Sequence, residues 1–370
     1  MTRLSLRYGG INLSQGFPDF PAPEAVKEAA ARAIREDANQ YTVTWGLPEL
    51  RAAVAEKVRA FNGIAADPDR EVTITCGAAE ALLAALLSCV ETGDEVVIIE
   101  PFFESYVPDV LIAGGTPVFV PLRGPAMRWD ADELRQAFSR RTRAIVVNTP
   151  HNPAGRVLTR DELGQIAELC RAHDAIAITD EIYEHIVYDG REHVSLATLP
   201  GMAERTITIS GFSKTFSVTG WRLGWAVAPA PLSDGLRKVH DYATVCAPRP
   251  LQQAALAALA LPPSYYDALR ADYTHRRDLV RAELEGAGFR CTKPEGAYYV
   301  LADFSAIRDV PDRAFVEWMA AEVGVIGVPG SAFYHHKELG ERLVRFAFPK
   351  RDETLHEAGA RLRRLAAVVT

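Results

Sequence analysis

Three stretches dense in β-branched residues each run into polar side chains that could do chemistry. Ala144–Asn148 leads to Thr149-Pro150-His151-Asn152-Pro153-Ala154-Gly155. Ala175–Thr179 ends at Asp180, followed by Glu181-Ile182-Tyr183. Thr206–Ile209 leads to Ser210-Gly211-Phe212-Ser213-Lys214-Thr215. If these are strands of one open α/β sheet, an amide, a carboxylate, a phenol and an amine meet at its carboxyl edge, where such sheets bind ligands. Taken singly, each has an ordinary explanation: Asn152-Pro153 as a turn, Asp180 as a helix cap, Lys214 as a solvated surface lysine. Their joint placement after three strands is what argues for a site. A lysine amine is a nucleophile only when partly unprotonated, and a buried, cation-rich setting lowers its pKa.

The rest of the chain supplies elements to hold such groups. Val72–Thr75, Glu95–Ile99 and Val118–Val120 read as further strands, and Glu80–Val90, Ser105–Ala113, Asp130–Phe138 and Arg160–His173 as helices. Strand, helix, strand in succession predicts βαβ units, an α/β class and a mostly parallel, buried sheet. Thr159 with Glu162 three residues later marks a helix start. Beyond about residue 260 the texture changes. A charged helical pattern, Tyr265–Glu285, is stopped by Gly286 and Gly288. A strand-like Ala297–Ala302, a helix near Asp312–Glu322, a strand-like Leu343–Phe348 and a final helix follow, which predicts a smaller α+β domain. With Pro262-Pro263 as the boundary, the expected division is an N-terminal segment 1–40 packing with the small domain, a large domain 41–260 and a small domain 261–370.

Composition excludes several classes. The net charge is −7 with both signs interspersed, so no basic surface for nucleic acid is expected. The five cysteines are scattered and never form a C-x-x-C pair, which argues for core residues in a reducing cytosol and against disulfides or a thiolate metal site. The N-terminus lacks the apolar core of a signal peptide. The most apolar stretch, Ala78–Val90, contains Glu80 and is too short to span a bilayer, so no membrane role is expected. Ser213-Lys214-Thr215 has serine where a P-loop needs its last glycine. No G-x-G-x-x-G follows a first strand, and neither H-E-x-x-H nor G-x-S-x-G occurs. No metal is expected.

The three strand-end segments, in this order, resemble the signature of the fold type I pyridoxal-phosphate enzymes, the class I/II aminotransferases. Asn12-Leu13-Ser14-Gln15-Gly16-Phe17-Pro18-Asp19-Phe20 and Asn39-Gln40-Tyr41-Thr42 are similar to the branch with kynurenine, methionine and succinyldiaminopimelate aminotransferases and cysteine-conjugate β-lyases. Glu100-Pro101-Phe102-Phe103, Thr219-Gly220-Trp221-Arg222 and Arg345-Phe346-Ala347-Phe348 continue the likeness over nearly the whole chain.

The resemblance implies a seven-stranded, mostly parallel sheet flanked by helices, and a cofactor, pyridoxal 5′-phosphate, held by Lys214 as a Schiff base. Once freed by substrate, Lys214 would move a proton between Cα and the cofactor. Asp180 would keep the ring nitrogen protonated, and Asn152 and Tyr183 would bond the phenolic oxygen. Arg222 matches the phosphate arginine. Gly77-Ala78-Ala79 would offer helix N–H groups to the same phosphate, or be a plain helix start. Phe103 matches the ring that stacks on the cofactor, or is core. Tyr41 matches a residue that reaches the neighbouring subunit's phosphate, which implies a homodimer with shared active sites. Arg345 matches the grip on the substrate α-carboxylate, with Gly16 offering a backbone N–H; otherwise it is a surface arginine in a strand. Gly211 stands where this branch often has serine, leaving Ser210 or Ser213 to bind the phosphate. The segment before Asn12 is short, where relatives carry a helix. Val245 stands where kynurenine-type enzymes have phenylalanine; Arg7, His240 and Arg249 are then either determinants for an acidic side chain or solvated charges.

The expected activity is transfer of an amino group from an α-amino acid to a 2-oxo acid in a ping-pong cycle. The alternative is β-elimination from cysteine-type substrates. A ligand-sensing domain of a transcription regulator is disfavoured by the lack of a DNA-reading segment.

Overall fold

The computed structural model describes residues 1–365. The strands that looked buried on both faces are so: Glu95–Glu100, Ile176–Asp180 and Thr206–Gly211 bury every residue. They lie in a seven-stranded sheet ordered Val72–Thr75, Gly224–Val227, Thr206–Gly211, Ile176–Asp180, Thr142–Asn148, Glu95–Glu100, Thr116–Pro121. Gly224–Val227 alone runs antiparallel. Alternating residues face opposite layers, as the two-residue strand period requires. Val96 and Ile98 pack under the helix Ala78–Cys89, whereas Val97 and Ile145 pack against Arg160–His173. That second helix starts in the expected capping box of Thr159 and Glu162.

Gly224–Val227 escaped the sequence pattern because it opens on glycine and holds a single β-branched residue, Val227. The glycine is required: a Cβ on Gly224 would come within 2.7 Å of Ala78 N. Gly211 has the same cause, since its Cβ would lie 2.9 Å from Gly224 Cα. Two sheet strands and a helix start are thus brought together without side chains between them.

Residues beyond the helix Arg249–Leu259 build a second body. Its sheet runs Val328–Pro329, Leu343–Ala347, Tyr299–Asp303, Arg290–Cys291, covered by Pro263–Gly286, Asp312–Val323 and Asp352–Leu362. The N-terminal 40 residues divide between the two bodies. Ile11–Asn12 pairs in parallel with Val325–Ile326, while the helix Glu24–Arg35 lies on Arg249–Leu259. The expectation that all of 1–40 packs with the small domain therefore fails for that helix, whose buried alanines, Ala29 and Ala30, sit against Ala254. A seven-residue helix, Thr2–Tyr8, precedes Asn12.

Candidate active site

Adjacent parallel strands put Asn148 level with Asp180 and Asp180 level with Ile209. Three loops therefore leave the sheet side by side. Lys214 lies in the third, with its Nζ donating to the Gly16 carbonyl at 3.2 Å. Burial pulls its pKa down; Asp180 opposes this and the Arg222 and Arg345 charges assist, leaving it at about 8. An amine in that range is partly free at neutral pH, as a nucleophile or base must be.

Asp180 is buried, which raises its pKa. Hydrogen bonds from Tyr106 Oη (2.7 Å to Oδ2) and Ile182 N (3.3 Å to Oδ1), and the Lys214 charge, work the other way. Asn148 fixes the neighbouring loop. Its amide nitrogen donates to the Asp180 carbonyl at 2.8 Å, and its oxygen accepts from Asn152 N at 2.7 Å. Asn152 Oδ1 accepts in turn from Arg345 Nη1 at 3.0 Å, leaving its amide nitrogen as a donor toward the pocket. Tyr183 Oη shares a hydrogen bond with Tyr299 Oη at 3.0 Å.

Arg345 sits on the strand Leu343–Ala347, opposite Leu301 in register. It is buried between the rings of Tyr299 and Phe333, and Nη2 donates to the Ser14 carbonyl at 2.7 Å. Its Nε has no protein partner. Gly16 closes this end: a Cβ there would lie 2.0 Å from Tyr299 Oη.

At the other end Gly77, with φ of +85°, caps the helix Ala78–Cys89. The Arg222 guanidinium lies so close that a Cβ on Gly77 would meet Nη2 at 2.6 Å. Ala78, Ala79, Ser213, Phe103 and Arg222 line one pocket with Lys214, Asp180, Asn152 and Tyr183. Ser210 does not join them. Its hydroxyl turns the other way, donating to the Glu184 carboxylate at 2.8 Å, so of the two candidate serines only Ser213 faces the pocket. Tyr41 stands outside, 77% exposed in the single chain. A helix N-terminus plus a guanidinium at one end, and a carboxylate with a buried amine at the other, suits a phosphate-bearing aromatic aldehyde such as pyridoxal phosphate.

Residues 8–362 match the profile of the family described as aminotransferase class I and II. The chain belongs to that family. The enzyme is therefore a pyridoxal-phosphate-dependent aminotransferase. It is 43% identical to a probable N-succinyldiaminopimelate aminotransferase of Mycobacterium tuberculosis, over 99% of this chain and 95% of the relative. Human kynurenine–oxoglutarate transaminase 1 is 38% identical over 98% of this chain and 94% of its own. Among solved structures, the M. tuberculosis N-succinyldiaminopimelate aminotransferase superposes with a TM-score of 0.96, covering 99% of this chain and 96% of the other. An Escherichia coli protein with methionine aminotransferase function gives 0.94 at 37% identity, covering 98% and 95%.

Several site residues of this aminotransferase were not singled out from sequence. Tyr106 and Tyr299 touch Asp180 and Tyr183; the only available signal was their position, three residues after Phe103 and inside a strand near a glycine. His240 is not among the residues that line this pocket. It is buried, Nδ1 bonds Glu80 Oε1 at 2.6 Å and Nε2 bonds the Thr44 carbonyl at 2.9 Å. Beneath the catalytic loops lies a buried polar network. Lys57 Nζ pairs with Glu184 at 2.5 Å, Asn62 bridges to the same carboxylate at 2.7 Å, and Ser195 and His193 bond Glu181. Every carboxylate oxygen in it has a donor, so it anchors the Glu181–Glu184 turn rather than forming a second site.

Proposed function

We propose that this aminotransferase carries pyridoxal phosphate covalently on Lys214 Nζ and passes an amino group from an α-amino acid to a 2-oxo acid in two half-reactions. The observation that carries this is the shared pocket of Lys214, Asp180, Asn152, Tyr183 and Arg222, with Arg345 hydrogen-bonded to its wall. The bound cofactor supplies an electron sink for the charge left when substrate Cα loses its proton. Arg345 grips the substrate carboxylate with its planar fork, assisted by the Gly16 N–H. That contact draws the small domain, residues 261–365, onto residues 41–260 and sheds water from the pocket. Lys214, freed from the cofactor, would take the Cα proton and return it to the cofactor's aldehyde-derived carbon, two atoms away across the amino nitrogen; a pKa of about 8 suits both directions. Asp180 faces the ring nitrogen, Asn152 and Tyr183 the phenolic oxygen, and Phe103 the ring face. Arg222, Ser213 and the N–H groups of Ala78 and Ala79 hold the phosphate.

The enzyme works as a homodimer in a reducing cytosol. Tyr41 and Tyr242 are 77% and 91% exposed in the single chain, with Val43 and Val245 also exposed; a second copy would cover them and bring Tyr41 to the neighbouring phosphate. Donors with long or apolar side chains, as in the names of the relatives, form the first substrate panel.

The test is a half-reaction screen: single amino acids added to cofactor-loaded protein without any 2-oxo acid. Conversion of the cofactor to its amine form by a few of them is expected. Lys214→Ala should lose covalent cofactor and turnover. Continuous pyruvate and ammonia from cysteine-type substrates, with the cofactor still attached, would make the enzyme a lyase instead.

A further inference from the structure

Asp180 is held by a second residue outside the set assigned above. Tyr106 opens the helix Tyr106–Ile112, and its Oη donates to Asp180 Oδ2 at 2.7 Å; both side chains are buried. The helix start fixes the phenol. Tyr106 N donates to the Phe103 carbonyl at 3.1 Å, and the two rings meet edge to face at 5.7 Å. Tyr106 shares its buried apolar cluster with Phe102, Val110 and Leu82. One short segment thus brings both a ring that lines the pocket and a donor to its carboxylate.

We propose that Tyr106 is a positioning residue for the reaction: its phenol holds Asp180 as a carboxylate aimed at the cofactor's ring nitrogen. The proposal rests on the reading that Asp180 faces that nitrogen. A proton shared by a pyridine nitrogen and a carboxylate can reside on either. In a buried site the neutral arrangement, with the proton on the carboxyl group, gains because no charge is desolvated. A hydrogen bond donated to the carboxylate lowers its proton affinity and sends the proton to the nitrogen, where the electron sink needs it. Tyr106 keeps its own proton, because burial first and the Asp180 charge second push its pKa well up. Lys214 and Glu181 face the carboxylate, and Tyr183 and Asp109 the phenol. None of these replaces the Tyr106 donor on Oδ2.

The experiment uses cofactor-loaded protein and its apo form with pyridoxal phosphate as the probe. Tyr106→Phe should weaken pyridoxal-phosphate binding by about tenfold. It should raise the pH midpoint of the visible absorption band by about half a unit or more, and lower kcat about tenfold with KM little changed. In an Asp180→Asn background the same change should add almost nothing, since the partner is gone. A merely structural tyrosine would cost the same in both backgrounds, and that result overturns the proposal. Replacing Tyr106 by 3-fluorotyrosine keeps the ring and strengthens the donor, so the midpoint should move down; no movement, or movement up, also overturns it. Wild-type protein that takes up no pyridoxal phosphate would overturn the cofactor site and this proposal together. Normal uptake with an unaltered Y106F overturns the proposal alone.

Discussion

Arg345 Nη1 donates to Asn152 Oδ1 across 3.0 Å, joining a strand of the small domain to a loop of the large one. The guanidinium is buried and its Nε is without a partner, so it is fixed in place with hydrogen-bonding capacity to spare. A lysine would keep the charge but lose the planar fork and the contacts with the rings of Tyr299 and Phe333. Arg345→Lys should therefore raise KM for both amino acid and 2-oxo acid by about 10- to 100-fold, with pyridoxal-phosphate content unchanged. Steady-state kinetics with absorbance of the bound cofactor checks both parts.

The Lys214 amine gives a pH prediction whose sign follows from burial. Its pKa lies below the ordinary lysine range, at about 8, so the reactive free amine grows as pH rises toward 8 and then levels. Capture of added pyridoxal phosphate by apo-protein should accelerate about tenfold per pH unit well below 8 and flatten above it. Stopped-flow absorbance between pH 6 and pH 9.5 reads this directly. A rise continuing to pH 9.5 without a plateau would place the amine in the ordinary range and refute the assignment.

The phosphate end depends on backbone proximity. A Cβ at Gly224 would sit 2.7 Å from both Ala78 N and Gly77 C, which are backbone atoms with little freedom to yield. Gly224→Ala should push the helix start away from Arg222, weakening cofactor binding by at least about tenfold and costing about 1–3 kcal/mol of stability. Equilibrium dialysis and thermal melts of the apo-protein separate the two effects. Gly220→Ala, where a Cβ meets nothing, is the control and should bind normally.

What could be read from sequence follows from how locally each feature is encoded. The parallel strands announced themselves because both faces are buried, giving unbroken β-branched runs such as Val96–Ile99. Lys214, Asp180 and Asn152 were legible because each follows such a run. The antiparallel Gly224–Val227 strand was not: its identity comes from contact with Gly77 and Gly211, which no local period encodes. Tyr106, Tyr299 and Glu184 belong to the site or its support through contacts across 74, 116 and 26 residues of chain, to Asp180, Tyr183 and Ser210 respectively. The choice between Ser210, in the strand, and Ser213, in the loop beyond it, turned on where each hydroxyl points, and the Glu184 carboxylate decides it by claiming Ser210.

That carboxylate supports the last prediction. Burial works against the Glu184 charge, but Lys57, His185 and His193 outweigh it and hold its pKa down to about 2. Lys57 is itself buried and pays for that in a lowered pKa, so the two charges depend on each other. Lys57→Met would keep the volume and leave Glu184 without its cation, costing about 3–5 kcal/mol. The Tyr183 turn lies one residue away, so activity should fall with the melting temperature. The pH dependence follows from the sign of the Glu184 shift. A carboxylate whose folded pKa is depressed contributes stability above its unfolded pKa and loses it as pH falls toward the folded value. Wild-type protein should therefore lose melting temperature between pH 5 and pH 3 more steeply than Lys57→Met, in which burial without the Lys57 cation raises the Glu184 pKa. Parallel slopes in calorimetry across that range would show that the Lys57–Glu184 pair contributes nothing to acid sensitivity.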